Sequence, residues 1–103
     1  MSISTLMDQL EAASESYARR YNFDRSDDWL MMKLLEEIGE LVQANNRLTG
    51  RSRIKEPLTA EDLKHSLADE LADSFGMIVV LARRHNVDLA AAIERKWRFR
   101  PEG

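Results

Sequence analysis

Residues 71–82 form the most apolar stretch of the chain, and they constrain its fold more than any other segment. Placed on a helix, this stretch is apolar on almost every side and is interrupted only by Asp73, Ser74 and Gly76. A helix of this kind is normally buried, and a carboxylate within it destabilises the fold unless it has a partner. The other segments must therefore pack around this helix.

Apolar residues elsewhere recur at the spacing of helices, and no segment shows the alternation of a strand. We therefore predict an all-α fold with four helices and a turn over residues 22–26. The predicted N-caps are Ser4 or Thr5, Ser26 or Asp27, Thr59, and Asp88. The last residues of the predicted helices are Tyr21, Leu48, Arg84 and Trp97.

Each predicted helix has one apolar face that we expect to be buried. The face of the first helix comprises Leu6, Leu10, Ala13, Tyr17 and Tyr21. The face of the second comprises Leu30, Leu34, Ile38, Leu41, Asn45 and Leu48. The face of the third comprises Leu63, Leu67, Leu71, Met77, Ile78 and Leu81. The face of the fourth comprises Leu89, Ala92, Ile93, Lys96 and Trp97.

The composition limits the class of protein. With 103 residues, of which 44% are apolar, the chain is predicted to be a single domain over residues 1–103. It contains no cysteine, which excludes disulfides and thiolate metal sites. We expect a cytoplasmic protein without a membrane partner, because the sequence shows neither a signal peptide nor an apolar run of membrane-spanning length. A net charge of −3 argues against nucleic acid as the main partner.

Two pairs of acids lie on the apolar helices at a spacing of three residues: Glu37 with Glu40, and Glu70 with Asp73. Side chains three residues apart on a helix are neighbours, with Cβ atoms roughly 5–6 Å apart. Two such pairs on facing helices would form a cluster of carboxylates, which suits a hard divalent cation such as Mg²⁺ or Mn²⁺. The alternative is that these acids are solvated residues beside an apolar face. At 100° per residue, Glu37 lies at the edge of that face.

The residues around the two pairs of acids make the sequence pattern more specific. Glu37-x-x-Glu40 stands within Glu-Glu-Ile-Gly-Glu-Leu, and Glu70-x-x-Asp73 stands within Ala-Asp-Glu-Leu-Ala-Asp. These motifs resemble the MazG-like all-α nucleoside triphosphate pyrophosphohydrolases, and the resemblance covers residues 29–97. The superfamily also includes dCTP pyrophosphatases, dimeric dUTPases and phosphoribosyl-ATP pyrophosphohydrolase. The resemblance implies a four-helix bundle-like protomer that assembles as a dimer or a dimer of dimers.

The resemblance also implies an activity. Relatives use Mg²⁺ to hydrolyse a nucleoside triphosphate at the α–β linkage, which releases a nucleoside monophosphate and pyrophosphate. By this resemblance Glu37, Glu40, Glu70 and Asp73 are the metal ligands. Glu36 precedes the first pair, where relatives often have a second acid that could orient water. On a helix it points away from the apolar face, so a solvated position fits equally well.

The predicted substrate contacts are Trp29, Lys33, Arg47, Lys96, Arg98 and Arg100. Trp29 lies two turns before Glu37, where some relatives place an aromatic residue near the base, and the alternative is a core position. Arg47 precedes a basic connection that could meet phosphates or could be a solvated linker. Lys96, Arg98 and Arg100 lie at or after the end of the last helix, where relatives have basic residues.

Two alternatives to a general nucleotide pyrophosphohydrolase remain. The first is a catalytically silent helical module that dimerises and binds nucleotide or a protein. The second is a phosphoribosyl-ATP pyrophosphohydrolase, although Asp73-Ser74-Phe75-Gly76 departs from the Asp-Leu-Leu-Tyr-His string expected there. In either case we expect a homodimer or homotetramer, in which the small residues Ala68, Ala72 and Gly76 let a second copy of the helix approach closely.

Overall fold

The computed structural model describes residues 1–102, which form four α-helices and no strand. α1 spans Ile3–Tyr21, α2 spans Asp27–Leu48, α3 spans Ala60–Arg84 and α4 spans Leu89–Trp97. The prediction of an all-α fold is confirmed. Gly103, the last residue of the predicted single domain, lies outside the described residues. None of the helices in residues 1–102 is long and apolar enough to cross a membrane.

Side-chain caps determine where the helices begin. The predicted N-caps Ser26, Thr59 and Asp88 are found. α1 begins earlier than predicted because Ser2, not Ser4 or Thr5, is its N-cap, and the Ser2 hydroxyl accepts a hydrogen bond from the backbone N–H of Thr5 at 3.1 Å.

The start of α3 is held by a reciprocal pair of cap hydrogen bonds. The Thr59 hydroxyl accepts from the backbone N–H of Asp62, and the Asp62 carboxylate accepts from the backbone N–H of Thr59, both at 3.0 Å. The hydrogen bond from the Thr59 backbone lowers the pKa of Asp62, and a hydrogen bond with the Thr59 side chain adds to this effect. The position of α3 along the chain is therefore set locally, by residues that the sequence identifies.

α2 and α3 form an antiparallel hairpin at the centre of the protomer. His85, the C-cap of α3, places its Nε2 2.6 Å from Oδ1 of Asp27, the first residue of α2. α1 packs on one face of this hairpin, where a Cβ at Gly76 would lie 3.8 Å from Cδ2 of Leu10. Gly76 thus faces α1 within the protomer. Its predicted role in letting a second copy approach stays a prediction.

The buried face of α1 differs from the prediction. Met7 and Ala18 are buried, whereas Tyr17 and Tyr21 are 53% and 58% exposed. The two tyrosine rings instead pack on each other, with centroids 4.7 Å apart, and Tyr17 also packs edge-on against Phe23 at 5.6 Å. The prediction fails because tyrosine can pack its ring on a neighbour and still leave its hydroxyl in water.

The interface between α2 and α3 agrees with the prediction at most positions and differs at a few. The inward positions of α2, each buried or half-buried, are Leu30, Leu34, Glu37, Leu41, Ala44 and Leu48. Those of α3 are Leu63, Leu67, Glu70, Ser74, Met77 and Leu81. Ile38, Leu71 and Ile78, which were predicted to be buried, are exposed. The error arises because a face chosen by hydrophobicity alone leaves the acids at its edge, whereas the structure includes Glu37 and Glu70 in the interface.

α4 is the least integrated helix. None of its nine residues is fully buried, and Trp97 is 74% exposed. Leu89, Ala92 and Ile93 are half-buried, so the predicted face is correct at the start of α4 and wrong at its end, where Lys96 is exposed as well. A helix this short and this little buried has few contacts within the protomer to fix it.

Much apolar surface remains uncovered in one protomer. Its radius of gyration is 15.9 Å, compared with about 13 Å for a compact domain of this size. One surface, here called the outer apolar face, consists of Met31, Leu35, Ile38, Val42, Leu71, Phe75 and Ile78. Each of these residues follows an inward position by one residue, so on an antiparallel hairpin both rows lie on the same side, opposite α1.

Candidate metal centre

Five acids converge near the middle of the α2–α3 hairpin. Carboxylate oxygens of Glu36, Glu37 and Glu40 lie within 4.8 Å of one another, and so do those of Glu37, Glu70 and Asp73. Glu37 belongs to both groups and therefore lies at the centre of the cluster. The structure brings together the acids that the sequence singled out from both helices.

The two central acids have buried oxygens without a partner. Glu37 is only 6% exposed, and the Oε2 atoms of Glu37 and Glu70 are buried without a hydrogen bond to any described residue. An unpaired buried carboxylate oxygen is strongly unfavourable. Oxygen-only ligands with unsatisfied lone pairs fit a hard divalent cation such as Mg²⁺ or Mn²⁺.

Ser74 is a further polar residue of this region that the sequence analysis did not select. It is buried, and its Oγ has no hydrogen-bond partner among the described residues. Ser74 follows Glu70 by one helical turn, so the two side chains lie on the same face of α3. The signal in the sequence was a hydroxyl one turn after an acid in an otherwise apolar stretch.

Lys33 is the cation nearest to the cluster among the described ion pairs. Its Nζ lies 3.4 Å from Oε1 of Glu36 and 3.4 Å from Oε1 of Glu37. Burial lowers the pKa of Lys33, but the hydrogen bond to Glu37 and the charge of Glu36 together raise it above its ordinary value. Lys33 is therefore held as an ammonium ion between two candidate site acids.

An open pocket of about 340 Å³ lies beside the acids. It is lined by Trp29, Met32, Lys33, Leu35 and Glu36. The ring of Trp29 is half-buried and packs on Phe23 with centroids 4.7 Å apart. The structure thus brings two of the predicted substrate residues, Trp29 and Lys33, to the edge of the acid cluster.

The remaining predicted substrate residues are Arg47, Lys96, Arg98 and Arg100, and none of them belongs to the acid cluster or lines the Trp29 pocket. Arg100 instead places its Nε 3.8 Å from Oε2 of Glu94. A larger cavity, of about 560 Å³, lies between α1, α3 and α4, but none of the five acids lines it. Chemistry therefore favours the smaller pocket beside the carboxylates as the candidate site.

A comparison with protein families decides the assignment. The family model for phosphoribosyl-ATP pyrophosphohydrolase (PRA-PH) matches residues 3–96. The chain belongs to this family. The PRA-PH family is part of the MazG-like all-α superfamily, so the predicted resemblance is confirmed, and membership points to a pyrophosphohydrolase acting on phosphoanhydride bonds. Comparisons with curated proteins and with solved structures found no match.

The environment of the acids in this PRA-PH family member changes their proton affinity. Burial is the main cause that raises the pKa of Glu37, and the hydrogen bond from Lys33 partly opposes it. Burial is also the main cause that raises the pKa of Glu70, and the next cause is a hydrogen bond with the Glu40 side chain. The two carboxyls therefore take up either a proton or another cation more readily than solvated acids do.

Metal-free protein is expected to lose stability as the pH rises from the ordinary glutamate value of 4.5 through the raised folded-state values. In this window Glu37 and Glu70 of the folded state keep protons that the unfolded chain has released. Their contribution to the free energy of unfolding is therefore largest at low pH and is lost as the pH rises. Urea unfolding with chelator at about pH 5 and about pH 8 would measure the change. Glu37→Gln removes one of the two groups and should show a smaller loss than wild type; an equal loss contradicts the prediction.

Proposed function

We propose that the protein is a Mg²⁺-dependent nucleotide pyrophosphohydrolase that cleaves nucleoside triphosphates at the α–β phosphoanhydride, with Mn²⁺ as an alternative metal. The products are a nucleoside monophosphate and pyrophosphate, and the role is the removal of unwanted nucleotides. The observation that carries the proposal is the pair of buried, unpaired Oε2 atoms of Glu37 and Glu70 within a cluster of acids.

In this proposal Glu37, Glu40, Glu70 and Asp73 hold the cation. Carboxylates this close repel one another, so the folded cluster favours binding of a cation. When bound, the cation neutralises phosphate charge and lowers the pKa of the attacking water. Glu36 is more than half exposed and faces the Trp29 pocket, so its carboxylate is available to orient a water molecule or a substrate group.

The substrate is proposed to lie in the Trp29 pocket, next to the acids. Trp29 would stack on the nucleobase, supported from behind by its contact with Phe23. Lys33 would contact the phosphates. Phosphate contacts are also proposed for the basic residues that lie outside this pocket in one protomer: Arg47, Lys96, Arg98 and Arg100.

A second substrate, phosphoribosyl-ATP, is favoured by the family model that matches the chain. Its phosphoanhydride chemistry would use the same acids and the same cation. Residues 73–76, Asp-Ser-Phe-Gly, depart from the string that we associate with this activity, and we therefore place this substrate second.

The test is a panel of ribo- and deoxyribonucleoside triphosphates together with phosphoribosyl-ATP, incubated with Mg²⁺ and assayed for pyrophosphate and monophosphate. Release of pyrophosphate from one member of the panel, absent in a Glu37→Gln preparation purified in parallel, would support the proposal and name the substrate. Binding of nucleotide without turnover of any member would favour the silent helical module.

Metal binding is expected to stabilise the folded protein, because only the folded chain holds the acids together. A free Mg²⁺ concentration ten times Kd adds about 1.4 kcal/mol, which should raise the thermal midpoint by roughly 5–10 °C for a domain of this size. Thermal unfolding with millimolar Mg²⁺ and with chelator measures this, and Glu40→Gln should respond less. Identical midpoints in the two conditions, with a non-hydrolysable nucleotide present, would disprove the metal site.

We further propose that the functional unit is a homodimer or a dimer of dimers. Support comes from the outer apolar face, which combines residues of α2 and α3 and is exposed in one protomer. A two-fold dimer would cover the same face on both copies. It could also bring the basic residues that follow α4 in one copy to the acids of the other.

A further inference from the structure

We infer that Lys33 is an internal counter-ion of the acid cluster, which a divalent cation displaces and which then binds the substrate phosphates. The inference rests on the proposed function and adds an order to it: metal loading releases the residue that receives the substrate. Lys33 then has two opposite effects: it weakens metal binding and strengthens phosphate binding.

The first support is the position of the Lys33 ammonium group. Its Nζ lies at the same distance, 3.4 Å, from Glu36 and from Glu37. Strong ammonium–carboxylate hydrogen bonds are shorter, at about 2.7–2.9 Å. Lys33 is thus shared loosely between two acids, and these contacts can be exchanged for others at little cost.

The second support is that Lys33 lies between the acid cluster and the open pocket. Glu37, one of its partners, has a further oxygen that is buried and unpaired at the centre of the cluster. On its other side Lys33 lines the open pocket with Trp29 and Met32, and its side chain is 30% exposed. A small rotation of the flexible four-carbon stem therefore moves the ammonium group from the acids into the pocket.

Electrostatics determines the direction of the exchange. A divalent cation bound by Glu37 would lie close to the Lys33 ammonium group, and the like charges would repel each other. Among the described residues, Lys33 has ion pairs only with Glu36 and Glu37, so its charge then has to turn to solvent or to an anion in the pocket. A phosphate group placed there would satisfy both the lysine and the cation.

Two simpler roles for Lys33 make different predictions. If Lys33 only stabilises α2 through its pairs three and four residues on, its removal should lower stability by a few tenths of a kcal/mol and leave metal affinity unchanged. If Lys33 only binds phosphate, metal affinity in the absence of nucleotide should again be unchanged. Displacement predicts that removal of the charge tightens metal binding and weakens nucleotide binding in the same variant.

The first measurement is calorimetric titration of the whole protein with Mn²⁺ alone, at about pH 8 so that protons compete little. Lys33→Met, and Lys33→Gln as a second uncharged variant, should bind Mn²⁺ about three- to tenfold more tightly than wild type. Lys33→Arg keeps the charge and should remain within about twofold of wild type. Arg19→Met, which removes a charge from the exposed face of α1, should also remain within about twofold of wild type.

The second measurement is the affinity for a non-hydrolysable nucleoside triphosphate at saturating Mn²⁺. Here Lys33→Met should bind about tenfold more weakly than wild type, so that metal and nucleotide affinities change in opposite directions. Unchanged or weaker Mn²⁺ binding by both uncharged variants, with a wild type that binds Mn²⁺, would overturn the inference and leave the metal site standing. Absence of Mn²⁺ binding by the wild type even with the nucleotide present would overturn the proposed function itself.

Discussion

Replacing Glu37 or Glu70 by glutamine is expected to abolish turnover while the protein remains folded. Each substitution removes a carboxylate charge from the candidate metal site without changing the size of the side chain. Loss of groups that only orient metal ligands costs about 10–100-fold in metal affinity or activity, so loss of a ligand should reduce pyrophosphate release by more than about a hundredfold. Glu40→Gln and Asp73→Asn should act in the same direction.

The same substitutions should not weaken the metal-free fold. Glu37 and Glu70 carry buried oxygens without partners, and neutral amides in their place would relieve both desolvation and like-charge repulsion. Urea unfolding with chelator should therefore show equal or higher stability. Asp69→Asn is the matched control, because Asp69 precedes Glu70 on α3 but is exposed and pairs with His65 at 3.6 Å; it should retain activity. Unfolding of the glutamine variants would identify the acids as structural partners instead.

The helices themselves could be predicted because their ends are encoded locally. Ser26, Thr59 and Asp88 each accept a hydrogen bond from a backbone N–H three residues on, and such caps are visible as short polar residues before an apolar period. The one error, at the start of α1, came from three hydroxyl residues close together, of which Ser2 is the cap. Local chemistry thus sufficed for the extent of α2, α3 and α4.

The side-chain positions next to the acids could not be predicted in the same way. Hydrophobicity placed Ile38 and Leu71 inside and Glu37 at an edge, whereas the structure buries Glu37 and exposes the two apolar residues. The acids occupy inward positions in the interface between the helices, where a bound cation or a proton would offset the cost of burying them. The conflict between local preference and observed position therefore marks the candidate site.

The candidate site was predicted better than its surroundings. Spacing and motif identified the five acids. Acids three residues apart lie on one side of a helix, so two such pairs meet when their helices pack face to face. The pocket beside Trp29 and the contacts of Lys33 depend on rotamers and on the packing of Phe23, which the sequence does not show.

The outer apolar face has an arrangement that suits a second copy of the chain. Its rows on α2 and α3 repeat at three- and four-residue spacing, as in helices that pack along their length. Leu71 and Phe75 lie on this face, whereas Gly76 contacts α1, so a variant that tests assembly must change the face itself. Phe75 would lie near the middle of the proposed interface, and aromatic residues are enriched at the cores of such interfaces.

Wild-type protein is accordingly expected to sediment as at least a dimer at micromolar concentration, and Phe75→Glu is expected to dissociate it. A two-fold interface contains this residue twice, so two unpaired charges at about 2 kcal/mol each should raise the dimer Kd by roughly a thousandfold. Val87→Glu is the control, because Val87 is 46% exposed, close to the 43% of Phe75, but lies in the turn before α4. Loss of the dimer in Phe75→Glu alone would assign the interface to the outer apolar face, and a wild type that sediments as a stable monomer would contradict the proposed assembly while leaving the metal centre within one protomer untouched.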